Sequence, residues 1–103
     1  MLTIAETEDF SDIWPKYWTA EEFGDFCAWL ALRPEAGDVI PGSGGCRKVR
    51  WSVGGRGKRG GARLIYVKRL VEGKIWLLTM YSKAVQKDVE RKVLSRLKED
   101  IDD

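Results

Sequence analysis

The chain has 103 residues, of which 18 are Lys or Arg, 16 are Asp or Glu, and 44% are apolar. This length and this apolar share predict one globular domain spanning residues 1–103. No apolar run approaches the ~18 residues of a membrane-spanning helix, and the first ten residues lack the basic start and apolar run of a signal peptide. We therefore expect no contact with a membrane. Two cysteines without zinc-type spacing favour the reducing cytoplasm.

The sequence contains no histidine. Sites of the His/Cys metal type, His-dependent nucleophile pairs and histidine acid–base catalysis are therefore excluded. Cys27 lies in an apolar stripe and Cys46 precedes a predicted strand, and neither has a neighbouring base that would activate the thiol. No cofactor is expected, and any catalysis must use Lys, Arg, Tyr or carboxylates.

The net charge of +2 conceals an asymmetry along the chain. Residues 1–45 contain two basic and nine acidic side chains, a net charge of −7, whereas residues 46–103 have a net charge of +9. Nine bases and no acid lie between Arg47 and Arg69. Such a steep change indicates an anionic ligand for the second half.

The first third predicts a strand and two helices. Leu2 and Ile4 alternate with polar neighbours, as in a short strand. Apolar residues then follow helical spacing over residues 8–18, where Pro15 limits the regularity of the helix.

A second predicted helix has clear signals at both ends. Thr19 and Glu22 form a capping box at its start. The helix ends at Arg33, because Pro34 disfavours helical geometry in the residue before it.

The remainder predicts three strands and a helix. Residues 35–45 form a loop, residues 47–53, 62–70 and 74–82 are strands, and a helix follows Gln86. Val71-Glu72-Gly73 is a turn typical of an antiparallel hairpin. The order β-α-α-β-β-β-α predicts an α+β domain with helices on one sheet face. Trp51 and Trp76 are expected to pack between sheet and helices.

A glycine-rich loop follows the first of these three strands. Residues 55–60 match G-x-G-x-x-G, but a strand follows instead of the helix that a dinucleotide site requires. Two interpretations remain for this loop. It is either a flexible hairpin tip with solubilising charges, or a clamp in which Arg56, Lys58 and Arg59 bind a phosphate backbone.

Polar residues on one face of the predicted sheet form a second candidate site. If the register brings the strands together, the face without helices presents five such residues: Lys48, Arg50, Arg63, Tyr81 and Lys83. In the last strand, Tyr81 and Lys83 lie on the face opposite that of Leu78 and Met80. An ordinary solvated face is the alternative, but five such groups with no interspersed acid favour contact with nucleic acid.

These residue types allow, but do not demand, metal-free cleavage of RNA. Cleavage needs a base for the 2′-hydroxyl, positive charge on the phosphorane and an acid for the leaving oxygen. Without histidine, a lysine whose pKa is lowered by crowded cations could serve as the base. Arginine suits bidentate binding of phosphate. Tyr81 could stack on a splayed base or help to move the proton.

The sequence resembles a known family, most strongly between Pro34 and Lys83. The motifs are PEAGDVIPGSGG at 34–45, RKVRW at 47–51, GRGKRGGAR at 55–63, Ile65-Tyr66, and LLTMYSK at 77–83. Together they resemble HigB-type toxins of the RelE/ParE superfamily of bacterial type II toxin–antitoxin systems. The resemblance covers essentially the whole chain and implies a RelE-like α+β fold, whose curved antiparallel sheet is packed by helices on one face.

The resemblance implies an mRNA endonuclease that enters the ribosomal A site beside 16S rRNA and cuts messages during translation. It also implies a cognate HigA-type helix-turn-helix antitoxin. Lys48 and Arg50 match the family's paired basic positions beside the scissile phosphate, and Arg63 matches its phosphate-stabilising arginine. Lys83 falls where a further basic residue usually ends the last strand, and Tyr81 is its neighbour. Better-known members carry an aromatic residue in the C-terminal helix, whereas residues 87–103 here contain no Tyr or Phe.

We expect further RNA or ribosome contacts from other bases of the acid-free run: Arg47, Arg56, Lys58, Arg59 and Arg69. The alternative function is that of a non-catalytic toxin or binding module, such as the gyrase-inhibiting ParE branch.

Overall fold

The computed structural model describes residues 2–51 and 61–82, together with Arg96. The predicted last helix, most of the glycine-rich loop and Lys83 lie outside these residues. The elements in chain order are β1 (Thr3–Glu6), α1 (Glu8–Ile13), a 3-10 turn (Trp14–Lys16), α2 (Ala20–Leu32), β2 (Asp38–Val39), β3 (Arg47–Trp51), β4 (Ala62–Arg69) and β5 (Lys74–Ser82). The α+β class is confirmed, and β2 is a short strand within the predicted loop.

The strands form one sheet in the order β1-β5-β4-β3-β2. β2 to β5 make an antiparallel meander, but β1 pairs with β5 in parallel. The expectation of a purely antiparallel sheet is therefore wrong, and the sheet is mixed. The helices carry the chain to the far edge before the meander returns, so β1 and β5 lie side by side in the same direction.

The helix boundaries follow from their capping residues. The Thr7 hydroxyl accepts a hydrogen bond from the Phe10 N–H (3.1 Å) and so caps α1. Pro15 limits α1 as predicted, because the chain passes from Ile13 into the 3-10 turn. The capping box of Thr19 and Glu22 is present with both of its hydrogen bonds. These caps satisfy backbone donors that a helix start leaves unpaired.

Both described helices pack on one face of the sheet. We call the apolar layer between the helices and the sheet the helix-side core. Its buried members are Phe10, Trp18, Phe26, Leu30, Val49, Ala62, Leu64, Tyr66, Ile75, Leu77 and Met80. Trp51 joins it as predicted, with its ring 5.0 Å from that of Phe26 and 4.9 Å from that of Trp29. None of the helices in the described ranges is long and apolar enough to cross a membrane.

The opposite face carries a second buried cluster, which consists of Ile40, Cys46, Ile65, Val67, Leu78 and Tyr81, with Trp76 packed against it. An irregularity in the pairing of β4 with β5 explains two of these positions. Ile65 lies opposite Thr79 but Tyr66 lies opposite Leu77, so Leu78 is an extra residue. This bulge shifts the alternation of β5. The expected position of Leu78, on the face opposite Tyr81, is therefore wrong. Trp76 lies on the face away from α1 and α2.

Candidate nucleic-acid interface

Three of the predicted site residues form one row across the centre of the sheet. Arg50 in β3 pairs with Arg63 in β4, and Arg63 pairs with Tyr81 in β5. Directly paired residues share a face and have Cβ atoms about 4.5–5.5 Å apart. Their neighbours Val49, Leu64 and Met80 lie in the helix-side core, so the row lies on the other face. The register therefore brings together residues that are 13 and 18 positions apart in sequence.

Lys48 lies on the same face, one row further along. It pairs with Ile65, which pairs with Thr79. We call the row of Arg50, Arg63 and Tyr81 the arginine row. A step of two residues along a strand spans about 6.6 Å, so the row of Lys48 runs close beside the arginine row. Arg50 is exposed, while Lys48 and Arg63 are half-buried. The prediction that Lys48, Arg50, Arg63 and Tyr81 share a face is confirmed.

The two guanidinium groups occupy an arrangement that an anion would stabilise. Like charges directly opposite each other on adjacent strands destabilise a sheet. A phosphate bound between them would remove this repulsion and would accept hydrogen bonds from both groups. The described strands place one acid on this face, since Asp38 in β2 pairs with Lys48. The expectation of a face without an interspersed acid is therefore wrong at its edge.

Tyr81 is buried within the second cluster. Its side chain is only 7% exposed, and it packs in the same cluster as Ile65 and Leu78. A ring buried in this way presents no open face to a nucleotide base. Its place in the row suits it to support Arg63.

A tight loop over residues 40–46 closes one side of this cluster. The buried Ser43 hydroxyl donates to the Ile40 carbonyl (2.5 Å) and accepts from the Cys46 N–H (3.0 Å). Ile40 N–H donates in turn to the Cys46 carbonyl (2.9 Å). The serine thus satisfies backbone groups that the loop would otherwise bury unpaired, and holds Ile40 and Cys46 against the sheet.

Arg47 does not lie on the face of the arginine row. It alternates with Lys48 along β3 and forms a salt bridge with Glu35 (3.3 Å). Its guanidinium also donates to the backbone carbonyls of Glu35 (2.9 Å) and Gly37 (3.3 Å). Lys68 binds the other carboxylate oxygen of Glu35. The hydrogen bond from Lys68, its charge and that of Arg47 lower the pKa of the Glu35 carboxyl.

We call the segment of residues 34–37 the strap. Arg47 and Lys68 are two of the side chains that hold it against the sheet. The Tyr66 hydroxyl donates to the Ala36 carbonyl (2.6 Å) and lies 3.1 Å from the Pro34 carbonyl. Burial raises the pKa of Tyr66 to about 12. Gly37 has φ = 81°, and a Cβ atom there would lie 2.2 Å from the Lys48 carbonyl oxygen. Only glycine lets the strap pass this close to β3.

The far end of this face carries Lys74, a base that the sequence analysis did not single out. Arg69 pairs with Lys74, and the Lys74 ammonium lies 5.4 Å from the centre of the Trp76 ring. Arg69 is about 20 Å from Arg63 along β4, given ~3.3 Å per residue. Arg69 therefore lies outside the arginine row. Lys74 gave no signal because it stands alone after the turn. Arg56, Lys58, Arg59 and Lys83 lie outside the described residues.

The cysteines give no sign of reactivity. Burial, and secondarily the charge of Glu6, raise the pKa of Cys27 to about 11, which keeps the thiol protonated at neutral pH. Cys46 is fully buried in the second cluster. Both placements agree with the prediction that neither cysteine is activated.

No protein-family model matches this sequence.

Proposed function

We propose that this protein is a HigB-type toxin of the RelE/ParE superfamily and acts as a metal-independent, ribosome-dependent mRNA endonuclease. The observation that supports this most strongly is the row formed by Arg50, Arg63 and Tyr81, with Lys48 beside it. Among them, Lys48, Arg50 and Arg63 are the positions that the motif resemblance assigns to the scissile phosphate. The sheet register places them together on the face that α1 and α2 leave uncovered.

The proposed reaction uses the 2′-hydroxyl of the message as the nucleophile. The 2′-oxygen attacks phosphorus and its proton passes to a base, while the bond to the 5′-oxygen breaks and that oxygen takes up a proton. The products are a 2′,3′-cyclic phosphate and a 5′-hydroxyl end. Arg50 and Arg63 stabilise the charge on the non-bridging oxygens of the phosphorane. We assign the two proton transfers to Lys48 and Lys83, the lysines that the resemblance places at the site.

Tyr81 has a supporting role in this scheme. Its side chain is buried in the second cluster, so we assign it to positioning Arg63 rather than to stacking on a base. The resemblance supplies the rest of the proposal. The protein would work in the cytoplasm, bind mRNA in the ribosomal A site beside 16S rRNA, and be neutralised by a HigA-type antitoxin.

Induced expression followed by primer extension on cellular mRNA tests this function. We expect cuts within translated messages and arrest of growth. Arg63→Ala should lower cleavage by roughly 10²–10³-fold, the cost of losing one preorganised donor to a charged transition state. The fold should persist, because the half-buried arginine makes no contribution to the helix-side core.

Arg33→Ala is the matched control. Arg33 is exposed at the end of α2, and its guanidinium donates to the Trp29 carbonyl (3.3 Å), away from the basic row. We expect this variant to cut mRNA as the wild type does. DNA damage without mRNA cuts would contradict the nuclease and favour the gyrase-inhibiting alternative, and equal effects of the two substitutions would remove Arg63 from the site.

A further inference from the structure

The outer face of α2 is an apolar surface that the described part of the chain leaves uncovered. Leu32, a large apolar residue at the end of the helix, is 69% exposed. Gly24 and Ala28 precede it at intervals of four residues and are exposed as well. Residues four apart lie on one side of a helix, so these three positions form a stripe about 12 Å long. The stripe points away from the sheet, since Phe26 and Leu30 of the same helix are buried in the helix-side core.

Gly24 is a residue that the packing of the helix does not require. A Cβ atom at this position would meet nothing within 4 Å among the described residues. Glycine inside a helix is less favourable than alanine, because it loses more conformational freedom on folding. The glycine therefore weakens α2 and relieves no close contact in return. What it provides is a gap in the outer face, on the same stripe as the protruding Leu32.

The stripe is complementary to itself. When two copies of α2 cross antiparallel about a two-fold axis at Ala28, Leu32 of each copy lies opposite Gly24 of the other, because both positions are four residues from Ala28. A two-fold interface needs this property, since every contact occurs twice with the roles exchanged. The missing side chain at Gly24 and the small one at Ala28 let the helices approach to the short end of the usual separation of about 8–10 Å.

The charges beside the stripe fit the same arrangement. Asp25 lies one residue past Gly24, Arg33 lies one residue past Leu32, and both are exposed. In the antiparallel pair residue 31 lies opposite Asp25, so Arg33 of the second copy is about 3 Å further along the axis, within reach of the carboxylate. Two such pairs of opposite charge favour the antiparallel orientation, whereas a parallel pair would bring like charges together.

We propose that the outer face of α2 is an interface with a second copy of this chain, centred on Gly24, Ala28 and Leu32. One helix of 13 residues from each copy gives a small contact, so we expect a weak dimer that forms at high concentration. The helices lie on one side of the sheet and the arginine row lies on the other, so the dimer leaves both rows uncovered. The inference does not depend on the proposed nuclease function.

Sedimentation equilibrium of the purified full-length protein over a series of concentrations tests this interface. We expect the wild type to change from monomer to dimer as its concentration rises. Gly24→Gln fills the gap and Leu32→Gln removes the apolar side chain that enters it, so each should raise the Kd of the dimer at least roughly tenfold. Since glutamine favours a helix more than glycine does, Gly24→Gln should also raise the Tm of the dilute, monomeric protein. A higher Tm with a weaker dimer separates loss of the interface from loss of the fold.

Leu70→Gln is the matched control. Leu70 is 68% exposed, as Leu32 is, but it lies in the turn between β4 and β5. We expect this variant to keep the wild-type Kd. A dimer that survives both Gly24→Gln and Leu32→Gln, or that Leu70→Gln weakens equally, overturns the assignment of the interface to α2. A wild type that stays monomeric up to its solubility limit overturns the second copy as the occupant of this face.

Discussion

The two faces of this sheet use neighbouring residues of the same strands in opposite ways. On the helix side, Leu64 is fully buried and Arg47 is paired with Glu35. On the other side, Arg50 and Arg63 stand directly opposite each other. All three arginines belong to one acid-free run, yet one anchors the fold and the other two face each other across β3 and β4. Strand parity, rather than local charge density, decides which role each base has.

The largest expected effect is a difference in stability between substitutions at two consecutive residues, Arg63 and Leu64, which lie on opposite faces of the sheet. Leu64→Ala leaves a cavity in the helix-side core and should lower the free energy of unfolding by about 2–5 kcal/mol. Arg63→Gln should lower cleavage with no comparable loss of stability. Urea denaturation of both variants, with the wild type alongside, measures the difference. Equal destabilisation by the two substitutions would contradict the division between the faces.

A smaller effect is expected at the strap. Tyr66→Phe removes the hydroxyl that donates to the Ala36 carbonyl, and should cost about 1–2 kcal/mol. In the wild type, the pKa of Tyr66 is raised from 10.0 to about 12. The unfolded chain therefore loses the phenolic proton first, so stability falls as pH rises from 10 towards 12. Thermal melts in this range should show that fall in the wild type. A fall of the same size in Tyr66→Phe would contradict it.

The repulsion between Arg50 and Arg63 should give a smaller effect of opposite sign. Replacing one of them by glutamine removes a like-charge pair, which is worth about 0.2–1 kcal/mol of stability. Added inorganic phosphate should raise the Tm of the wild type more than that of Arg50→Gln. Arg33→Gln is the control, since that guanidinium faces no other. An equal response of all three proteins to phosphate would contradict an anion site in the row.

The smallest effect belongs to Glu35, which is exposed and screened by solvent. Its pKa is lowered, chiefly by Lys68, so its contribution to stability is present above the ordinary carboxyl value of 4.5 and disappears as pH falls through the lower folded value. Glu35→Gln should flatten the acid limb of the stability curve slightly. Glu21→Gln, at an exposed position of α2, is the control and should leave that limb as it is in the wild type.

Much of the fold follows from local signals. Thr19 with Glu22 fixed the start of α2, Pro34 fixed its end, and Gly73 marked the turn between β4 and β5. Alternation along residues 47–51 placed Lys48 and Arg50 on one face. In each case a few adjacent residues determine the backbone geometry, so one sequence is enough to find them.

The errors arise where distant parts of the chain decide the outcome. Nothing near Leu78 signals the bulge, and the bulge alone moves Trp76 to the second cluster. The parallel pairing of β1 depends on where the whole meander ends. The pairing of Arg47 with Glu35, and the position of Asp38 opposite Lys48, depend on β2, whose two residues give no periodic pattern. Strand register therefore limits the prediction of the site.

The neighbouring positions of β1 and β5 have a consequence for folding. The Thr7 hydroxyl donates to the Leu78 carbonyl (3.0 Å), a link between residues 71 positions apart, and Thr3 pairs with Lys74. During synthesis, the first strand therefore waits for its neighbour until most of the chain has left the ribosome. Such non-local closure slows folding, because chain entropy is lost before the contacts that repay it are made. The row of Arg50, Arg63 and Tyr81 spans β3, β4 and β5, so it is complete only once β5 is in register.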